Sequence, residues 1–317
     1  MNVILKYVDK YVDGVSHPHI YTLKYVGEDM SFKLKERKFF YEKPEILNGM
    51  YLLHYGGTFF GAWGINGYFI LADNIFLDTG NHNSDEKSFK EFISTLDKNR
   101  KWIVLNTHLH EDHCGKNIIV QKILNSEIYA PELVSNFSFV TFLLDLIWGR
   151  PKYFTHSMFN QSVYETDAGR KIEIIPTPGH SKAHVAFRIM PDNIIYSGDA
   201  IPLPVKKRYI TAGEDYISEI ESLKVLLKFT EEGSLFVSSH HGILKDPVKT
   251  INDRIKGMSE VVDKVSDLIK KGNDNIHTIG DSVFGKPDFL YKYFGENIRC
   301  KQDWTISSII DGLKERE

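Results

Sequence analysis

Between residues 50 and 245 short apolar runs alternate with amphipathic stretches, and the alternation itself sketches a fold. Runs at 50–55, at 68–72 and 75–77 around the turn Asp73-Asn74, and at 102–105 and 127–130 have the length and β-branched content of strands. So do those at 171–176, 235–238, and 185–190 and 193–196, the last pair joined through Pro191-Asp192. Helical periodicity fills the gaps at 84–96 (with Ser84 as its cap), 116–124 and 215–230. A glycine-rich aromatic stretch at 56–67 reads as a loop. Residues 131–148 read as an apolar helix or helix pair broken by Gly149-Arg150-Pro151. Its aromatics (Phe137, Phe139, Phe142 and Trp148) suit a core, and could instead line a pocket or an oligomer contact. Strands interleaved with helices argue for sheets covered by helices.

The pattern differs on either side. Residues 3–8, 20–26 and 30–34 are strand-like and separated by turn residues, which predicts an antiparallel addition. After residue 246 a long charged helix over 247–271 stops at Gly272-Asn273, and shorter helical pieces follow at 278–284, 287–294 and 305–313. The expected organisation is therefore a strand-rich extension over 1–45, a main domain over 46–245 and a helical region over 246–317.

Chemistry gathers at strand ends. The run WIVLNTHLHEDHCG at 102–115 closes a buried strand with His108, His110, Asp112 and His113 in one short loop. Imidazole and carboxylate donors suit Zn, Fe, Mn or Co. In an extended loop His108 and His110 share a face, and Asp112 and His113 fall after the bend, so one loop can open two metal sites. Left without a ligand, so many polar groups would be costly to bury. Asp78, His180, Asp199 and the pair His240-His241 end four further strands. Ligands drawn from many strand ends are how a rigid scaffold builds a site on one rim. His17 and His19, flanking Pro18 with no third donor nearby, read as an exposed turn.

Composition narrows the function. A net charge of −3 gives no overall attraction to nucleic acid or to an anionic membrane. Two cysteines, Cys114 and Cys300, imply no disulfide framework and a reducing compartment. The N-terminus lacks a signal-like apolar stretch, and the greasiest run, 137–148, carries Asp145 and is too short to span a bilayer. A cytoplasmic protein with no membrane partner is expected.

The five stretches LDTG, THLHEDHCG, TPGHS, SGDA and SHHG stand in an order and context that closely resemble the motifs of the metallo-β-lactamase superfamily, over about residues 46 to 245. The resemblance implies a four-layer αββα sandwich of the α/β (α+β) class with the site at one sheet edge. It implies two divalent metal ions, most simply zinc, with iron or manganese as options. His108, His110 and His180 would hold the first; Asp112, His113 and His241 the second; Asp199 would bridge them. Of the adjacent pair, His241 is preferred over His240 because it directly precedes Gly242. Asp78 would orient the ligand loop, His184 would be a buried structural histidine, and Cys114 a small packed residue. The sequence departs from the family in SKAH, where a glycine often precedes the second histidine.

The resemblance further implies a metal-bridging hydroxide that attacks a small ester, thioester or lactone, with Asp112 also orienting the water and carrying a proton. Alternatives within the family are an endoribonuclease or phosphodiesterase and a mononuclear-iron persulfide dioxygenase. The helical tail resembles that of lactamase-like hydrolases and endoribonucleases, but its charges balance, so nucleic acid is weakly supported as a partner. Lys206-Lys207-Arg208 could meet an anionic substrate group or be a solvated loop. A small-molecule substrate is expected, and the chain could form a homo-oligomer.

Overall fold

The structure is a computed structural model. It describes residues 50–56, 66–83, 86–138, 140–201, 213–287, 292–293, 295–296 and 301–316, together with four earlier strands. Those are β1 Leu5–Val8, β2 Ile20–Tyr25, β3 Glu28–Lys33 and β4 Phe40–Glu42. His17, His19, residues 57–65, Ser84, the Lys206-Lys207-Arg208 run and most of the expected helix at 287–294 lie outside the described residues.

Strands β1, β2 and β3 pair antiparallel into a small sheet of their own. The first main sheet is seven-stranded. It comprises β4, β5 Met50–Gly56, β6 Asn66–Ala72, β7 Ile75–Leu77, β8 Ile103–Leu105, β9 Glu127–Ala130 and β10 Ser157–Met158, neighbours in sequence being neighbours in space. The pairing of β4 with β5 carries this sheet back to residue 40. β7, β8 and β9 run parallel to one another. They therefore need crossover connections, supplied by α1 Glu86–Ser94 and by α2 Glu111–Cys114 with α3 Asn117–Leu124.

The second sheet has six strands. These are β11 Val163–Glu165, β12 Lys171–Pro176, β13 Val185–Met190, β14 Ile194–Tyr196, β15 Leu235–Ser238 and β16 Gly242–Ile243. All its pairings are antiparallel except β14 with β15.

Period-two side-chain placement explains why these sheets stack. In β13, β14 and β15 the residues Phe187, Ile189, Ile194, Tyr196 and Val237 join a core shared with the first sheet. Their neighbours Ala186, Ile195 and Phe236 face the other way, into a core formed with helices. Those helices are α5 Tyr216–Glu231, α6 Pro247–Lys270, α7 Ile276–Phe284 and α8 Gln302–Lys314. In the first sheet β6 and β7 are buried on both faces, and Phe69 of β6 meets Phe89 of α1 edge-on at 6.2 Å. The result is the four-layer αββα sandwich. No helix among the described residues is long and apolar enough to cross a membrane.

The stretch 131–148 is expected as a helix or helix pair. Among its described residues the helical part is α4, Phe142–Trp148, in its second half. The preceding segment is held open by local polar bonds: Asn136 Oδ1 accepts from Ser138 N at 3.0 Å, and the Arg150 guanidinium takes the carbonyls of Phe137 and Val140. Thr141 then caps α4. Apolar composition could not distinguish this from a helix, because the competing bonds come from Arg150 beyond the break.

The two sheets are clamped at the end remote from the ligand loops. Arg170, just before β12, bonds Asp73 of the β6–β7 turn at 2.7 Å and Asp192 of the β13–β14 turn at 2.7 Å. Thr166 Oγ1 also donates to Asp73, and Asn74 Oδ1 accepts from the Asp167 amide. Arg170→Met should strand two partly buried carboxylates. We expect it to destabilise the fold by about 3 kcal/mol, the lower end for a broken buried pair. Urea unfolding measures this, and metal content per folded chain should stay at the wild-type value.

Candidate metal centre

Strands β7, β8, β12, β14 and β15 all end at one rim, and the loops that leave them converge. Two close approaches make this possible. Gly115 ends the ligand loop where a Cβ would sit 2.3 Å from the His82 amide nitrogen, so only glycine fits. Gly198 adopts φ +50, and a Cβ there would press on His184 and Thr107 within 3 Å. The loops are tied across the sandwich: the Val185 amide donates to the Thr107 carbonyl at 3.0 Å and the Tyr68 amide to the Ser239 carbonyl at 2.6 Å.

Two adjoining donor groups result. His108, His110 and His180 form one, and Asp112, His113, Asp199 and His240 the other, the ligating atoms of each lying within 4.8 Å of one another. His110 Nδ1 and His180 Nε2 are 3.0 Å apart. Asp199 stands between the groups: Oδ1 lies 3.2 Å from His113 Nε2 and Oδ2 lies 3.3 Å from His180 Nε2. His240 Nε2 is 3.2 Å from Asp199 Oδ1 and 3.5 Å from Asp112 Oδ2.

Hydrogen bonds behind two of the donors, His108 and His113, fix which nitrogen each presents. Asp78 Oδ2 takes the Thr107 hydroxyl at 2.8 Å. With its one hydrogen spent there, Thr107 Oγ1 can only accept from His108 Nδ1, 3.0 Å away. That leaves His108 Nε2 as a bare lone pair, buried and with no hydrogen-bond partner among the described residues. His113 Nδ1 likewise donates to Asp78 Oδ2 at 2.7 Å, turning Nε2 toward Asp199. His180 Nδ1 stands 2.8 Å from Glu214 Oε1. An orphaned, buried imidazole nitrogen among imidazoles and carboxylates fits a divalent cation of the zinc type.

Charges follow the same layout. Burial, and then the neighbouring imidazoles of His113, His110, His180 and His184, push the His108 pKa well below its usual value. Burial opposes the charge on His113 too, but Asp199, Asp78 and Asp112 outweigh it and raise its pKa well above normal. For His240 burial is again outweighed by Asp199 and Asp112, and the pKa is held up at about 9. Burial opposes the Asp199 carboxylate, yet His240, His113 and His180 keep its pKa well below the usual range. His184 is lowered to about 3, by burial first and His180 second.

Of the seven sequence-derived candidates, the structure brings together His108, His110, Asp112, His113, His180 and Asp199. It does not bring His241; His240 takes that place, reversing the choice made from the sequence. The reason is register. Ser239, the first residue past β15, is tied to the turn after β14, its amide donating to the Gly198 carbonyl at 3.2 Å and its hydroxyl to Asp199. The next residue, His240, therefore leaves the rim toward Asp199, while His241 opens the hairpin into β16.

His184 is buried, with Nδ1 2.8 Å from the Thr177 hydroxyl and Nε2 accepting from the Asp199 amide at 3.1 Å. Cys114 is buried and its thiol faces the His110 carbonyl at 3.2 Å; burial and nearby Glu111 push its pKa well up. Sequence reading missed Thr107, Tyr196, Glu214 and Ser239. Only Tyr196 carried a usable signal, as a polar tip at an inward strand position two residues before Gly198.

A family model for the metallo-beta-lactamase superfamily matches residues 61–240, more than half of the chain and every member of both donor groups. The chain belongs to the metallo-beta-lactamase superfamily. Among curated proteins, a hydroxyacylglutathione hydrolase from Buchnera aphidicola subsp. Baizongia pistaciae is 33% identical over 130 residues, 41% of this chain and 43% of that protein. The match thus spans less than half the length of this relative. Among solved structures, a metallo-beta-lactamase family protein from Thermus thermophilus aligns with TM-score 0.58 at 15% identity, over 85% of this chain and 94% of that one. A metallo-beta-lactamase from Pontibacter korlensis aligns with TM-score 0.54 at 15% identity, over 70% of this chain and 99% of that one. At such identities the likeness speaks for the shared fold alone. Together with the family match, it places this chain among the enzymes of the superfamily.

The charge layout makes a prediction about pH. With its pKa raised to about 9, His240 keeps its proton at pH 7 when no cation is present. Its charged form stabilises the metal-free fold fully below its usual value of 6.5, a contribution lost as pH rises through about 9. A cation must displace that proton. Because His113 is raised as well, zinc uptake at pH 7 should release about two protons per chain, and affinity should climb as pH rises through about 9. Calorimetric titration in buffers of differing ionisation enthalpy measures both; pH-independent uptake would contradict the layout.

Proposed function

We propose that this chain is a dinuclear metal hydrolase acting on a small ester, thioester or lactone, most simply with two zinc ions. The observation that carries the reading is the pair of adjoining donor groups with Asp199 reaching both. A single-iron dioxygenase would leave the second, four-donor group without a task. Similarity to a hydroxyacylglutathione hydrolase over 130 residues favours, within the set, an acyl–sulfur bond.

His108, His110 and His180 would hold one ion and Asp112, His113 and His240 the other, with Asp199 common to both. Bound ions would supply a nucleophilic oxygen at neutral pH and positive charge to offset an oxyanion. The chain's own residues do the rest. Asp112, whose carboxylate lies 3.5 Å from His240 Nε2 at the inner end of α2, orients the attacking oxygen and receives its proton. Asp199 sets the spacing of the two groups. Trp148, a core residue, packs its ring 6.3 Å from that of His240 and backs that ligand.

Elemental analysis of protein purified without added metal should find about two ions per chain. His110→Ala and Asp112→Ala should then lower kcat/KM on a thioester and lactone panel by more than about a hundredfold, the upper end of what loss of an outer partner alone costs. Far-UV circular dichroism should be unchanged. Full activity in a metal-free variant would refute the reading.

A further inference from the structure

Glu214 lies immediately before α5, outside every motif that defines the superfamily here, and is buried. Its Oε1 sits 2.8 Å from His180 Nδ1. The ring N–H is not lined up on that oxygen as a hydrogen bond, but a carboxylate so close favours hydrogen on Nδ1 by charge. Nε2, the atom that faces His110 Nδ1 and Asp199 Oδ2, is then the nitrogen left for a cation.

Glu214 is itself seated by the C-terminal helix. The Ser308 hydroxyl of α8 donates to the Glu214 carbonyl at 3.2 Å and accepts from the Tyr216 amide at 3.0 Å. The loop carrying His180 is pinned to the same point, because the Asp215 amide donates to the Gly179 carbonyl at 2.7 Å and Ser222 of α5 donates to the Pro178 carbonyl. His180 and its carboxylate are thus held on one frame built by α5 and α8.

We propose that Glu214 is a positioning residue for the first ion. It fixes the tautomer and ring orientation of His180 and raises the basicity of Nε2, and Ser308 makes the C-terminal helix part of that support. This rests on the metal-binding reading above. A charged oxygen acting through an imidazole strengthens the metal–nitrogen bond, and losing such a partner typically weakens metal affinity by about 10–100-fold. The region after α5 is then more than a cover for the second sheet, because one of its hydroxyls sets the position of the Glu214 backbone.

The test is zinc affinity by chelator competition on the full chain, with cobalt substitution as a spectroscopic readout. Glu214→Gln keeps shape and removes charge. It should weaken one of the two ions by about 10–100-fold, leave the other near wild type and shift the cobalt visible spectrum. Ser308→Ala should weaken the same ion in the same direction by a smaller factor. Glu219→Gln is the control. Glu219 is also buried on α5 but pairs with Arg254 at 3.2 Å, so its loss should lower stability and leave zinc affinity unchanged.

Equal affinity and an unshifted spectrum in a folded Glu214→Gln protein would overturn the proposal and leave the metal reading intact. Wild-type protein that binds no ion would overturn both. Should Glu214→Gln fail to fold, zinc-loaded wild-type protein decides: the His180 Nδ1 proton should appear as a slowly exchanging resonance, and rapid exchange with water would overturn the proposal.

Discussion

Asp78 ends β7 in the left-handed region at φ 63, buried, and accepts from five donors: the Thr107 amide and hydroxyl, Asn106 Nδ2, His113 Nδ1 and Tyr196 OH. These come from the loop after β8, from α2 and from β14 of the other sheet. The positive φ costs an aspartate about 1–2 kcal/mol. Each bond to a charged group contributes about 1.5–3 kcal/mol, so the bonds outweigh the strain. Without this carboxylate, Thr107 would lose the acceptor for its hydrogen, and His108 and His113 would lose the constraint that selects their tautomers. The choice of donor atoms at the rim therefore begins one step behind it.

The centre also holds a conflict that a cation resolves. Asp199 faces His113, His180 and His240, and its charge raises the pKa of His113 and of His240. His108, deeper and flanked by four other histidines, is driven the opposite way. Protons satisfy the outer part of the cluster and leave His108 Nε2 orphaned. A buried polar nitrogen without a partner costs about 1–3 kcal/mol. The fold accommodates that cost because the clamp at the remote end, with Arg170 between Asp73 and Asp192, holds the sheets together independently of what happens at the rim.

Much of this was legible in the sequence, for reasons that differ by element. Strands β5 to β9 and β12 to β15 announced themselves through apolar runs and turn residues. The ligand loop announced itself because three histidines and an aspartate in six residues have few other uses. What stayed hidden depended on bonds between distant segments. β10, two residues long, exists only through its pairing with β9. The non-helical path before α4 depends on Arg150, and the choice of His240 over His241 depends on the bonds that tie Ser239 to Gly198 and Asp199. Glu214 has no local pattern around it, and only the fold sets it 2.8 Å from His180. Local pattern reports local physics, and these four features are tertiary.

Each donor group draws on both sheets. His108 and His110 meet His180, and Asp112 and His113 meet Asp199 and His240. A chain emerging from the ribosome completes the first sheet long before β14 and β15 exist, and at that stage it offers only fragments of either group. Cation capture must then come late, after the two sheets have docked, and cannot nucleate folding as it does in small domains that are unfolded without their metal. The cation becomes a rivet set at the end of assembly, so a cell short of metal would accumulate folded, unriveted protein rather than unfolded chains.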